Sequence, residues 1–286
     1  MIIMKIGMTD YYIKRYGLSE GAARMAAHGY SCIDYQLADI KLDLYTARDE
    51  DFLRMITDIK KVLTAKGISV NQIHGPFCRE LTDKTEDDRA ISFEKKTKAM
   101  VMAKYLGAKY MAIHPLTPYG IGGERAEEVI EINRAYYSAL ARVAGKLGIV
   151  LCLENLPFVD FPLSRVEDVA DLVNEINSPY LKMTFDTGHA NIFEGRISDK
   201  LRYAGELVKI IHAHDNDGTG DQHRHPYDGT IDWADFAEGL FDIGFDGVFN
   251  FETAPVYKKD IDAGMTDGEV LEAELSFAKL AKLLAG

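Results

Sequence analysis

Six short apolar runs in this sequence each finish on a side chain able to hold a divalent metal. They are Gln72-Ile-His74-Gly-Pro, Ala112-Ile-His114-Pro, Cys152-Leu-Glu154-Asn, Thr184-Phe-Asp186-Thr-Gly-His189, His212-Ala-His214-Asp-Asn-Asp217 and Asn250-Phe-Glu252-Thr. Any one of them alone would read as a solvated or hydrogen-bonded polar group. Separate structural roles do not explain the same register in six successive runs. A buried carboxylate costs several kcal/mol unless it is paired or bound to a metal. Glu154, Asp186 and Glu252 follow apolar residues and would crowd one cavity, so together they require a cation. Carboxylates mixed with imidazoles suit Mn²⁺, Zn²⁺, Co²⁺ or Fe²⁺ better than Ca²⁺, and the lack of cysteine ligands disfavours a soft structural site.

Two further features extend this set. His212 and His214 share one face of a strand, because the strand period is two. His214 lies nearer the strand's C-terminal end and is taken as the ligand, with His212 one layer deeper as a supporting group. The segment Asp221-Gln-His223-Arg-His225-Pro, ahead of Gly229-Thr-Ile-Asp-Trp233, supplies a loop with more ligand types. Phe77, Tyr119 and Phe158 are candidate pocket walls, and Arg79, Arg196 and Arg224 are candidates for holding an anion. His28, at the end of an early helix, reads as structural.

Something must bring six run ends together. Apolar runs rich in Val, Ile, Tyr and Phe alternate with segments of helical periodicity. Strands are expected at Met4–Met8, Cys32–Gln36, Val70–His74, Tyr110–His114, Val150–Glu154, Lys182–Asp186, Lys209–His214 and Val248–Glu252. Helices are expected at Asp51–Lys66, Arg89–Leu106, Arg125–Leu147, Val166–Ile176 and Trp233–Ile243, with a closing one near Glu269–Leu284. Gly67, Gly107 and Gly148 are placed as helix C-terminal glycines, and Ser164-Arg-Val-Glu167 has capping-box spacing. Nearly continuous apolar strands suit a parallel sheet covered by helices. Eight of them, alternating with helices, predict an α/β fold: a single (β/α)8 barrel over residues 1–286, whose active site lies at the C-terminal strand ends. An open doubly wound sheet would need a glycine-rich phosphate fingerprint after an early strand, and none is present. No organic cofactor is expected.

Composition is consistent with this. The chain has 286 residues, 47% apolar and 27% charged, enough to build a core without disulfides. Cys32, Cys78 and Cys152 are an odd number without CxxC spacing, as in reduced cytoplasmic proteins. The start, MIIMKIGMTD, lacks signal-peptide features, and no run is long enough to span a membrane. A cytoplasmic chain is expected, with no bar to a homo-oligomer. The formal charge is −12, which disfavours nucleic acid and anionic membranes as partners. Acids held at a metal site contribute to that count, so the charge does not by itself separate a small molecule from DNA.

The quoted segments make the sequence recognisable. Leu153-Glu-Asn155, Phe185-Asp-Thr-Gly-His-Ala190, His212-Ala-His-Asp-Asn216, Gly229-Thr-Ile-Asp-Trp233 and Phe251-Glu-Thr253 resemble the xylose isomerase-like TIM-barrel superfamily, and within it the sugar phosphate isomerase/epimerase group. The resemblance spans essentially the whole chain. It implies one divalent metal on Glu154, Asp186, His214 and Glu252, with Glu154 and Glu252 also the acid/base pair. It implies a sugar or sugar-derived ketone as substrate, with proton transfer through a metal-stabilised enediolate. His189 matches a substrate-contacting histidine, and Asp160 is offset like another substrate-binding carboxylate. Endonuclease IV, a zinc enzyme for abasic DNA, belongs to the same superfamily. Its trinuclear ligand set is similar to His74, His114, Glu154, Asp186, His189, His214, Asp221, His223 and Glu252, although the segment after His189 departs from it. His74, His114, His189, Asp221 and His223 therefore read as substrate-binding or second-metal residues. A catalytically diverged barrel subunit is the third reading.

Overall fold

A computed structural model of the chain describes residues 6–37, 43–77 and 83–253. Eight parallel strands pair in chain order and close: β1 (Ile6–Thr9), β2 (Cys32–Gln36), β3 (Ser69–His74), β4 (Tyr110–Ile113), β5 (Val150–Glu154), β6 (Leu181–Asp186), β7 (Val208–Ala213) and β8 (Val248–Phe251), with β8 returning to β1. The expected (β/α)8 barrel is what forms. Along it run α1 (Tyr11–Tyr16), α2 (Leu18–Ala27), α3 (Asp43–Thr46), α4 (Asp49–Ala65), α5 (Glu86–Leu106), α6 (Ala126–Leu147), α7 (Val166–Ile176), α8 (Thr187–Asn191), α9 (Ile197–Ala204) and α10 (Trp233–Asp242). The closing helix expected near Glu269–Leu284 lies outside the described residues, as do Met4, Cys78 and Arg79.

Strand alternation divides the apolar residues into two sets. Leu151 and Leu153 of β5, Phe185 of β6 and Ile211 of β7 join the large core between sheet and helices. Cys32, Tyr110, Ala112, Cys152, Ile210 and Val248 form a separate small cluster inside the barrel. Continuing that inward series by two residues along each strand reaches Asp34, His114, Glu154, His212 and Asn250. The barrel floor is thus apolar and its upper layer polar, a division that each strand carries in its own residues. Each fully buried Leu or Phe in the core between sheet and helices contributes roughly 1.5–3 kcal/mol relative to exposure.

Helix ends follow local chemistry, with one correction. Gly107 and Gly148 adopt left-handed backbone at the C-caps of α5 and α6. The expected capping box at Ser164–Glu167 does not form: Arg165 occupies the N-cap of α7 without a side-chain bond, and the Ser164 hydroxyl is buried. Ser164 has instead been drawn into the loop after β5, where its carbonyl accepts from Leu156 N–H. The true capping box is on α5, where Thr85 and Asp88 bond reciprocally at 3.0 and 2.9 Å.

Asp10, directly after β1, is almost fully buried. Burial pushes its carboxyl up to about 6, against the pull of the Lys14 ammonium at 2.9 Å, and the charge of Asp34 adds to the rise. The folded carboxyl holds its proton more tightly than the unfolded one, so this group's contribution to stability declines as pH rises from 3.8 through about 6. Asp10→Asn should remove about 2–3 kcal/mol of that decline. Thermal melts of both proteins between pH 4 and 7 check it: the variant's Tm should gain on the wild type as pH rises.

Candidate metal and active site

The upper layer of the barrel gathers five carboxylates, Asp34, Glu154, Asp186, Asp221 and Glu252, and six imidazoles, His74, His114, His189, His212, His214 and His223. Asp34, Asp186, His212 and His214 are fully buried and Glu154 nearly so. Each group reaches the site by a definite route. His74, Glu154 and Asp186 are the last residues of β3, β5 and β6, whereas His114, His214 and Glu252 stand one residue past β4, β7 and β8. On β7 ladder bonding stops there because His214 N–H turns to the Thr187 hydroxyl, whereas Glu252 N–H still donates to the Ala213 carbonyl at 3.1 Å. His189 is delivered by α8, capped by the Asp186 carboxylate accepting from His189 N–H at 2.7 Å. Asp221 and His223 come from the loop after β7.

Candidate ligand atoms fall into overlapping groups in which one atom from each residue lies within 4.8 Å of the others: Glu154, Asp186, His212 and Glu252; His74, His114 and Glu154; His74, His212 and Glu252; and His189, His214, Asp221 and His223. Asp186 ties two of them together, its carboxylate lying 2.9 Å from His214 Nε2. Glu154 is the hub of the other side, with His212 Nδ1 at 2.9 Å, His114 Nε2 at 3.3 Å and His74 Nε2 at 3.6 Å. All nine residues expected at strand ends and in the loop converge.

The histidine tautomers are set by backbone acceptors. His74, His189 and His223 donate their Nδ1–H to the carbonyls of Gly75, Asn155 and Glu252 at 2.9, 2.8 and 2.7 Å. That leaves Nε2 of each aimed into the site, the arrangement that metal-ligating histidines adopt. His212 differs. Its Nε2 donates to Asp34 at 3.1 Å, and its Nδ1 faces Glu154 at 2.9 Å and Glu252 at 3.0 Å. Both ring nitrogens thus face carboxylates, and the ring stands between the two glutamates.

The electrostatics follow from this crowding. Burial would raise Glu154, but His212, helped by hydrogen bonds from His114 and His74, holds its carboxyl well below the usual range. Glu252 is lowered for the same reason, with burial again outweighed by His212. Burial alone would lower His212, yet the charges of Glu252 and Glu154 carry it well above its ordinary value. His189 rises to about 10 and His223 to about 9, desolvation being overcome by Asp186 and Asp221 for the first and by Asp221 for the second. Left to itself, the chain balances its carboxylates with protons on imidazoles. A divalent ion supplies that positive charge without them.

Several supporting residues were not singled out by spacing. Asn155 clamps the Asp186 backbone, donating to its carbonyl at 3.1 Å and accepting from its N–H at 2.9 Å. The Thr187 hydroxyl does the same for His214, at 2.6 and 3.0 Å. Asn216 donates to the Gly188 carbonyl at 2.7 Å. Asp34 and Gln72, the latter 3.3 Å from His212, sit on inward positions that period-two counting along β2 and β3 would have found.

Other expectations are corrected. Tyr119 is exposed, bonded to Glu128 and covered by the Arg125 guanidinium, so it walls no pocket. Asp160 is exposed. Arg196 pairs with Asp235, and Arg224 with Asp217 at 2.8 Å, so salt bridges already engage both anion candidates. Phe77 does stack on His114, at 4.3 Å between centroids, and Phe158 packs against the core. His28 accepts or donates at Tyr12, away from the site, as expected. No described helix is long and apolar enough to cross a membrane.

Comparison with known proteins adds the following. A family model described as a xylose isomerase-like TIM barrel matches residues 22–278. An uncharacterised protein, MJ1311 of Methanocaldococcus jannaschii, is 29% identical, covering 71% of this chain and 69% of its own. A D-psicose 3-epimerase of Enterocloster bolteae is 26% identical over 78% of this chain and 72% of its own. A probable endonuclease 4 of Mycoplasma mobile is 23% identical over 71% and 76%. Among solved structures, a D-psicose 3-epimerase crystallised in the presence of D-fructose superposes with a TM-score of 0.78 at 19% identity, covering 99% of this chain and 100% of that one. The IOLI protein, solved with a zinc atom, gives 0.75 at 19% identity, with 97% and 98% covered. At those identities the structural likeness speaks for the fold.

Proposed function

Since the chain belongs to the xylose isomerase-like TIM-barrel family, we propose that it is a divalent-metal-dependent isomerase or epimerase acting on a ketose or related sugar-derived ketone. The observation that carries this reading is the pair Glu154 and Glu252, held 2.9 and 3.0 Å from one imidazole nitrogen of His212 at the ends of two different strands. Two low-lying carboxylates facing one space suit removal of a proton on one side of a carbon and its return on the other.

The residues fit a metal on their own chemistry. Glu154 Oε2 and His214 Nδ1 are buried, the fixed tautomers point Nε2 inward, and the donors are oxygens and imidazole nitrogens. Glu154, Asp186, His214 and Glu252 would hold the ion. His214 is preferred to His212, whose two nitrogens face Asp34 and the glutamates; His212 is the imidazole grouped with Glu154, Asp186 and Glu252, and His214 meets that group through Asp186, 2.9 Å from its Nε2. Bound there, the ion would supply Lewis acidity toward a substrate carbonyl. One glutamate takes the proton from the carbon beside the carbonyl, and the other returns one that it draws from protonated His212, whose Nδ1 lies 2.9 and 3.0 Å from the pair. The handedness of that carbon sets which glutamate is base. His212, donating to both, keeps the two carboxylates oriented toward a common point. The remaining expected residues, His74, His114, His189, Asp221 and His223, serve substrate hydroxyls in this reading.

A second reading rests on the adjoining ligand groups. Three of them share Glu154 or meet at Asp186, which suits a cluster of ions and an endonuclease acting on abasic DNA. Metal counting separates the two. Purified protein saturated with Mn²⁺ or Zn²⁺ should hold one ion per chain and incorporate deuterium from D₂O into one ketose of a panel. Three tightly held zincs with nicking of abasic DNA, and no exchange into any ketose, would overturn the epimerase reading.

A further inference from the structure

Asp215 is fully buried directly after His214, and it belongs to none of the ligand groups. Its carboxylate nevertheless accepts four hydrogen bonds. Oδ1 takes Asn216 N–H at 2.9 Å and Ile231 N–H at 3.2 Å. Oδ2 takes Tyr227 N–H at 3.0 Å and the Trp233 indole N–H at 2.9 Å. Its own N–H and C=O pair with Arg224, both at 2.8 Å. One side chain thus ties together the start, the middle and the end of the loop that carries Asp221 and His223. Within that loop His223 and Tyr227 adopt left-handed backbone, φ 48° and 76°, which non-glycine residues hold only when their surroundings compel it. Gly229 crosses so close that a β-carbon there would lie 2.2 Å from Asp215 Oδ1.

From this geometry we infer that Asp215 is the positioning residue of the site: it folds the Asp221–His223 arm back against His214, whose ring stacks on His223 at 4.1 Å, so that His214 is held in place before an ion arrives. The inference rests on the metal reading above. Its chemistry is specific to a carboxylate. Four N–H donors converge on two oxygens, and an amide has one oxygen. Asp215→Asn therefore sets an NH₂ group against two donors whichever way it turns, with almost no change in volume. The same bond also makes Trp233, the chain's single tryptophan, a reporter of the arm, since its indole N–H ends on Asp215.

The test measures Mn²⁺ affinity by titration calorimetry, with Trp233 emission and thermal melting on the same samples. Asp215→Asn should keep native far-ultraviolet dichroism, bind Mn²⁺ roughly 10–100-fold more weakly and shift Trp233 emission. Asp232→Ala is the control. It removes the exposed N-cap of α10, where Asp232 accepts from Ala234 and Asp235 at 3.0 and 3.1 Å, without touching the arm. It should lower Tm while leaving Mn²⁺ affinity at the wild-type value. If Asp215→Asn loses stability but binds Mn²⁺ as the wild type does, the residue is only structural and the inference fails. A wild-type chain that takes up no Mn²⁺, Zn²⁺ or Co²⁺ overturns the metal reading itself, a result that looks different from the first.

Discussion

Glu154→Gln should reduce turnover on whichever ketose of the panel the wild type exchanges by about 10²–10⁴-fold or more, the range that loss of a positioned acid or base produces. It should also weaken metal binding, since Glu154 is the hub on which His74, His114 and His212 converge at 3.6, 3.3 and 2.9 Å. The amide cannot accept from all three imidazoles, and its NH₂ meets at least one ring N–H head-on. Breaking a buried charged network in this way costs about 3–5 kcal/mol, so the metal-free variant should melt well below the wild type. Glu252→Gln should lose as much turnover with a smaller fall in Tm, because Glu252 keeps some exposure and its backbone carbonyl still anchors His223. Deuterium incorporation at the substrate carbon, read by mass spectrometry, is the decisive measurement. Wild-type exchange in both variants would end the acid/base assignment.

Gly188→Ala should have the second-largest effect, with a sign opposite to what its local structure suggests. Gly188 lies in α8 and has no positive φ, so alanine there would ordinarily stabilise a helix by about 0.5–1 kcal/mol. Yet a β-carbon at this position would stand 2.0 Å from Cε1 and 2.3 Å from Nδ1 of His214. The ring cannot swing away freely. It is stacked on His223 at 4.1 Å, and its backbone is held on both sides by Thr187. Either α8 moves, taking His189 with it, or His214 turns out of its place. The expected result is a loss of about 1–3 kcal/mol, with at least a tenfold loss of metal affinity. A variant with raised Tm and unchanged affinity would show that the ring is free to move and that the tight contact is unimportant.

The two variants illustrate how differently parts of this site announce themselves. Glu154 was visible as a polar residue closing an apolar run, and so were His74, His114, Asp186 and Glu252. Gly188 and Thr187 were visible only as members of a recognisable segment, Asp-Thr-Gly-His, with no hint of what each does. Their work depends on β7, which is distant along the chain, and nothing in the spacing of residues 186–189 refers to it. Asp215 is a similar case. It stood only as a member of the segment His212-Ala-His-Asp-Asn216 with no role attached, and its four donors come from residues spread over 216–233. The Ser164 capping box failed for the converse reason, because the local pattern was correct but the loop after β5 had another use for that residue.

Local chemistry was enough for the barrel. Alternation of strands and helices, glycine at helix ends and apolar runs that finish on polar side chains are each written within a few residues, and each survives in the folded chain. The inward face of every strand also follows from a period of two. What that period cannot supply is which inward group meets which, because that depends on closure. Asp34 and His212 are 178 residues apart and lie on strands that are not neighbours in the sheet, yet they bond across the barrel at 3.1 Å. Only the closed barrel makes His212 a bridge between carboxylates and sets His214 Nε2 against Asp186. Charge pairing across an interior is a property of three-dimensional distance. The sequence orders the groups along each strand, and tertiary structure alone sets their distances.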